Sequence, residues 1–173
     1  MRALPLVLLF IAVYVLQTSA LFQAAIFGVT PDLVLILVCV VALRRGPLQG
    51  AVAGAAAGLF VDLAGGRFVG LGALAKAAAG AAVGWAGQRV FGENVVVTLG
   101  MVAAGSLIEQ AIYLFGAWAF GLPFPFMESL VRVALPSLWY DAAASVVAYP
   151  LLLLLQRRIG RVERVDRKRA VRV

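Results

Sequence analysis

The sequence predicts an all-α integral membrane protein, a compact bundle of six transmembrane helices. Three observations predict it. Of the 173 residues, 64% are hydrophobic and 13% charged, where a soluble domain carries about a quarter charged. Mean hydropathy is +1.01, and a water-soluble domain of this length could not cover that much apolar surface without leaving a contiguous exposed patch. The apolar residues also fall in six runs, with basic residues collected at alternate ends.

The runs are justified in chain order against the about 20 mostly apolar residues that a spanning helix needs. The first, 4–22, follows Arg2 and ends near "TSA", the outline of a secretory signal. Because the chain beyond it is itself membrane-embedded, it is read as an uncleaved span; a mature N-terminus after Ala20 would overturn this. The second run, 29–43, is shorter, broken near its start by Pro31 and Asp32 and closed by "RRG". The third, 46–64, is rich in glycine. The fourth, 68–88, is interrupted by Lys76, the fifth, 95–120, contains Glu109, and the sixth, 133–155, contains Pro136 and Asp141. A basic tail, 157–173, completes the chain.

Charge placement fixes the orientation. Arg2, Arg44 with Arg45, Arg89 and the tail share one side if the spans number six. The other side holds only Arg67 and Arg132, in short connections. Cytoplasmic loops carry the excess of Lys and Arg, so both termini are predicted to be cytoplasmic. The net charge of +7 is thereby a topology and lipid signal rather than a nucleic-acid footprint. In the tail, Arg157, Arg158, Arg161, Arg164 and Lys168 are candidates to meet anionic lipid, and a cytoplasmic filament is the alternative contact.

Two ridges stand out. Gly50, Gly54, Gly58 and Asp62 step by four along the third run, and Gly72, Lys76, Gly80, Gly84 and Gln88 step by four along the fourth. Residues four apart share one helix face, and in lipid small residues let backbones approach. The ridges are therefore predicted to pack helix on helix, within the subunit or against a partner's transmembrane helix. Asp62 lies near the outer end of its span and Lys76 about two turns into the next. An ion pair between them is expected, locking the two glycine helices in register. Glu109 and Asp141 come nearer mid-membrane. They could line an ion path or polar pocket, or be neutral carboxyls hydrogen-bonded across helices.

Enzymatic signatures are missing. With no histidine and a single cysteine, Cys39, a zinc, haem or iron–sulfur site is not expected, and Cys39 reads as packing. The serines lack the glycine context of a nucleophile elbow. No cofactor is predicted.

The stretch "TPDLVLILVCVVALRRGPLQGAVAGAAAGLFVDLAGGRFVGLGAL" resembles the core of the MreD family of rod shape-determining membrane proteins. The family pattern is matched by Pro31, Asp32 and Leu33, by Arg45 and Gly46, by Gly50, Gly54, Gly58 and Leu59, and by Asp62 and Gly70. The likeness is clearest over 30–75 and extends more loosely to "SLWYDAAASVVAYPLLLLL". Lys76 and Glu109 have no counterpart in that pattern. The resemblance implies a non-enzymatic scaffold of the cell-wall elongation machinery in the bacterial cytoplasmic membrane. Its implied partners are a single-span MreC-like protein, a RodA-like glycosyltransferase, a penicillin-binding transpeptidase and the MreB filament. It also implies a fold similar to the substrate-binding subunits of energy-coupling-factor transporters. That similarity supplies the alternative function, a small-solute binding subunit with Asp32, Glu109 and Asp141 lining its pocket.

Overall fold

The computed structural model describes residues 4–19, 31–66, 69–89, 95–120, 141 and 143–146. Among them are α1 (Leu4–Ser19), α2 (Leu33–Arg45), α3 (Pro47–Gly65), α4 (Leu71–Gly87) and α5 (Val95–Ala119). Asp141 and 143–146 are helical too. Most of the sixth apolar run, the connection before it and the whole basic tail, from Arg157 through Lys168, lie outside the described residues.

The shortest of the five helices is the centre of the fold. α2 has 13 residues, and every one from Val34 to Ala42 is buried, because it packs against α1, α3, α4 and α5 at once. A helix that is apolar on all sides belongs in such a position. Asp32 starts it, its side chain accepting the Leu35 N–H at 2.9 Å as an N-cap. Pro31 just ahead brings no N–H of its own. At the other end one residue, Gly46, both closes α2 and precedes Pro47, the first residue of α3. Its φ of 90° and ψ of 179° are open essentially to glycine alone, so the α2–α3 hairpin depends on that residue.

α3 and α4 run antiparallel with their glycine ridges face to face. A Cβ at Gly50 would stand 2.5 Å from the Gly80 carbonyl oxygen, one at Gly58 2.5 Å from that of Gly72, and one at Gly84 2.7 Å from the Pro47 Cα. A Cβ at Gly54 would overlap the Lys76 carbonyl. No side chain fits at these points, so the two backbones are in direct contact along the seam. The ridges are used up inside the subunit.

The exposed faces of the described helices are largely apolar. Leu48, Phe115 and Trp118 are 76%, 65% and 66% exposed, while Lys76 is 3% and Asp141 1% exposed. This inverts the arrangement of a water-soluble fold. Two helical segments, Pro47–Gly65 and Val96–Gly116, are long and apolar enough to cross a membrane. At the far end of α4, the Arg89 guanidinium lies 3.5 Å over the Trp85 ring.

Candidate functional site

The polar groups converge on the start of α2. A helix of 13 residues is about 20 Å long, against a hydrocarbon core of about 30 Å. Its first turn therefore opens inside the bundle, where unpaired N–H groups are costly. Side chains from two other segments take up two of them. Asp141 Oδ1 accepts the Asp32 N–H at 2.7 Å, and Gln17 Oε1, from α1, accepts the Val34 N–H at 3.3 Å. Asp32 itself caps Leu35.

Charges then close the site. Lys76, from the middle of α4, donates from Nζ to Asp32 Oδ2 and to Glu109 Oε1 of α5. Ser106, one turn before Glu109 on the same face of α5, is hydrogen-bonded to Asp141 Oδ2 at 2.5 Å. One ammonium thus meets two carboxyl groups directly, and a third, Asp141, is held alongside by Ser106 and the α2 backbone. A charge near mid-membrane costs about 2.5–3.5 kcal/mol on insertion scales; here every buried side-chain nitrogen and oxygen among the described residues has a partner. The arrangement ties α1, α2, α4, α5 and the Asp141 segment to one point.

Asp62 is not part of it, which corrects the expected Asp62–Lys76 ion pair. Asp62 Oδ2 accepts the N–H groups of Gly70, at 2.9 Å, and Ala73, at 3.2 Å. These are the N-cap and third residues of α4, and Gly70 has no side chain with which to cap its own helix. Lys76 lies across from Gly54, eight residues before Asp62 on α3, about 12 Å along the axis. The aspartate is a helix-end contact made from the neighbouring helix. Its carboxyl also fills the space where a Cβ on Gly72 would stand.

Of the residues singled out from sequence, the structure joins Asp32, Lys76, Glu109 and Asp141 in one network, with Pro31 buried beside it. It places Gly50, Gly54, Gly58, Gly72, Gly80 and Gly84 on the α3–α4 seam. Gln17 and Ser106 are additions. Each had a signal: Gln17 is polar within an apolar run, and Ser106 precedes Glu109 by three residues. Among the described residues no group of three or more His, Cys, Asp or Glu could hold a metal ion.

An apolar exterior, buried charges that serve helix assembly, and helices able to cross a bilayer define a helical membrane protein. The family is specific as well. The family described as rod shape-determining protein MreD matches residues 1–159. The chain belongs to it, and its role is in the determination of rod shape. No curated protein and no solved structure matches the chain, so no solved fold supports the expected likeness to energy-coupling-factor subunits.

Proposed function

We propose that this chain is a non-catalytic scaffold of the cell-wall elongation complex in the bacterial cytoplasmic membrane. It crosses the membrane six times with both termini inside, binds an MreC-like single-span protein, and so helps regulate peptidoglycan synthesis. A RodA-like glycosyltransferase, a penicillin-binding transpeptidase and the MreB filament are reached through that complex. The tail, with Arg157, Arg158, Arg161, Arg164 and Lys168, rests on anionic lipid.

The observation that carries this reading is the family membership. The geometry favours contact over chemistry: the polar groups are consumed in holding the helices together. Large apolar residues such as Leu8, Leu16, Leu107, Phe115 and Trp118 are exposed on α1 and α5. A partner helix packing on such a face would bury side chains that the bundle itself leaves uncovered.

The test is co-purification of the tagged full chain from a rod-shaped host under mild detergent. An MreC-like partner is expected in the complex, and replacing Phe115 and Trp118 by alanine is expected to reduce its recovery several-fold. Recovery of an ATPase module, or of a tightly held vitamin, would overturn the reading in favour of a solute-binding subunit.

A further inference from the structure

An open groove of about 580 Å³ runs between α1 and α3, floored by α2, a volume within the about 300–1,000 Å³ of small-molecule sites. Its walls are apolar, with Phe10 on one side and Val52 and Ala56 on the other. The one charged residue of the lining lies at one end. There the exposed Arg45, in the last turn of α2, and Gln49, in the first turn of α3, reach the groove. The opposite end is closed by an aromatic pair: Tyr14 and Phe60 meet edge to face, with ring centroids 5.1 Å apart and planes at 81°.

The distance between the two ends is informative. From Leu48 to Phe60, both lining the groove, α3 advances twelve residues, about 18 Å. One leaflet of the hydrocarbon core is about 15 Å deep. A trough that is cationic at one end, apolar for roughly one leaflet and stopped by two rings has the polarity and reach of a single amphiphile. A partner's transmembrane helix would have to continue past the Tyr14–Phe60 pair, which crosses its path.

We propose that this groove binds one anionic phospholipid of the adjoining leaflet. Its phosphate sits on the Arg45 guanidinium, whose fork of N–H donors matches phosphate oxygens, with the Gln49 amide beside it. One acyl chain lies along α3 as far as the aromatic pair. The proposal rests on α3 crossing the membrane and on none of the partner assignments above.

Native mass spectrometry of the purified full chain, released from detergent micelles, tests it with phosphatidylglycerol and phosphatidylethanolamine as the probes. One retained phosphatidylglycerol per chain is expected. Arg45→Gln should lower the retained fraction at least fivefold, whereas Arg44→Gln, exposed one residue earlier but outside the groove lining, should leave it unchanged. Ala56→Phe should fill the trough and abolish retention. Because Ala56 is exposed, its thermal midpoint should stay at the unmodified value, and Val52→Trp gives a second filling variant if it does not. Equal loss with Arg44→Gln and Arg45→Gln, equal retention of phosphatidylethanolamine, or lipid still held in both filling variants would overturn the proposal. So would a filling variant that strips a protein partner while lipid stays, since the groove would then take a helix. Loss of lipid with partner recovery intact upholds the proposal and leaves the scaffold reading untouched.

Discussion

The α3–α4 seam and the start of α2 hold the same bundle together by opposite means. The seam has no polar side chain between its backbones over Gly50, Gly54 and Gly58; its cohesion is contact at distances that exclude a methyl group. The α2 start is held by polar groups, and apart from the Asp32 cap on Leu35 each is satisfied by another from a different segment. Lipid gives little drive for apolar faces to associate, so a bundle needs either backbone proximity or polar pairing. This chain uses the first to weld two neighbours and the second to gather distant segments. The seam should therefore tolerate charge changes and refuse volume. The hub should tolerate volume better than loss of a charge.

The largest effect is expected at the hub. Lys76→Met removes the one cation from between Asp32 and Glu109, and breaking a buried pair by removing one partner costs about 3–5 kcal/mol. Unfolding of the purified protein by titrated dodecyl sulfate measures this. Adding Asp32→Asn and Glu109→Gln should recover part of the loss, because a neutral replacement of a buried ionic group can be close to isoenergetic. Failure of the triple variant to recover would mean that the charges do more than cancel one another.

At the seam the expected effect is smaller. Gly54→Ala forces a methyl onto the Lys76 backbone, and overpacking of this kind costs about 1–3 kcal/mol. Gly100, on α5, has open space where a Cβ would stand, with nothing within 4 Å. Gly100→Ala should therefore be neutral or stabilise by up to about 1 kcal/mol through helix propensity. Equal effects of the two in the same titration would remove the claim that the seam refuses volume.

Among the destabilising changes, Asp62→Ala should give the smallest. Loss of a capping side chain costs about 1 kcal/mol, and Asn caps nearly as well as Asp, so Asp62→Ala should destabilise and Asp62→Asn should not. Combined with Lys76→Met, the Asp62→Ala effect should add within about 0.5 kcal/mol, as it does for sites without shared partners. A larger coupling in the double-mutant cycle would restore the ion pair that the structure removes.

The seam was legible in the sequence and the hub only in pieces. Glycines at steps of four declare a face because helical periodicity is local, and the antiparallel approach of consecutive helices supplies the rest. Pairing of charges is not local. Lys76 is 14 residues from Asp62 and 44 from Asp32, and depth along a span says nothing of the direction in which a residue points around its helix. The deciding fact was that α2 is short and central. Its first turn, opening inside the bundle, creates a demand for acceptors and charge balance that a longer helix would have left at the membrane surface. The Pro31–Asp32 pair ahead of an apolar run is itself an N-cap signature, but in the sequence it stood only as a break near the start of the second span. Gly70, the N-cap of α4 without a side-chain cap of its own, is answered by Asp62.

The hub also orders events during synthesis. Asp32 and Asp141 are separated by 109 residues, which a ribosome adds in about 5–20 s at 5–20 residues per second. For that interval the start of α2 is without its last acceptor, and over the final 35 residues of it Ser106 is without its carboxylate. A chain broken off before Asp141 carries the glycine weld intact and the hub open. The arrival of Asp141 is thus recorded in the middle of the bundle, where one carboxylate supplies both the Asp32 N–H and the Ser106 hydroxyl with an acceptor.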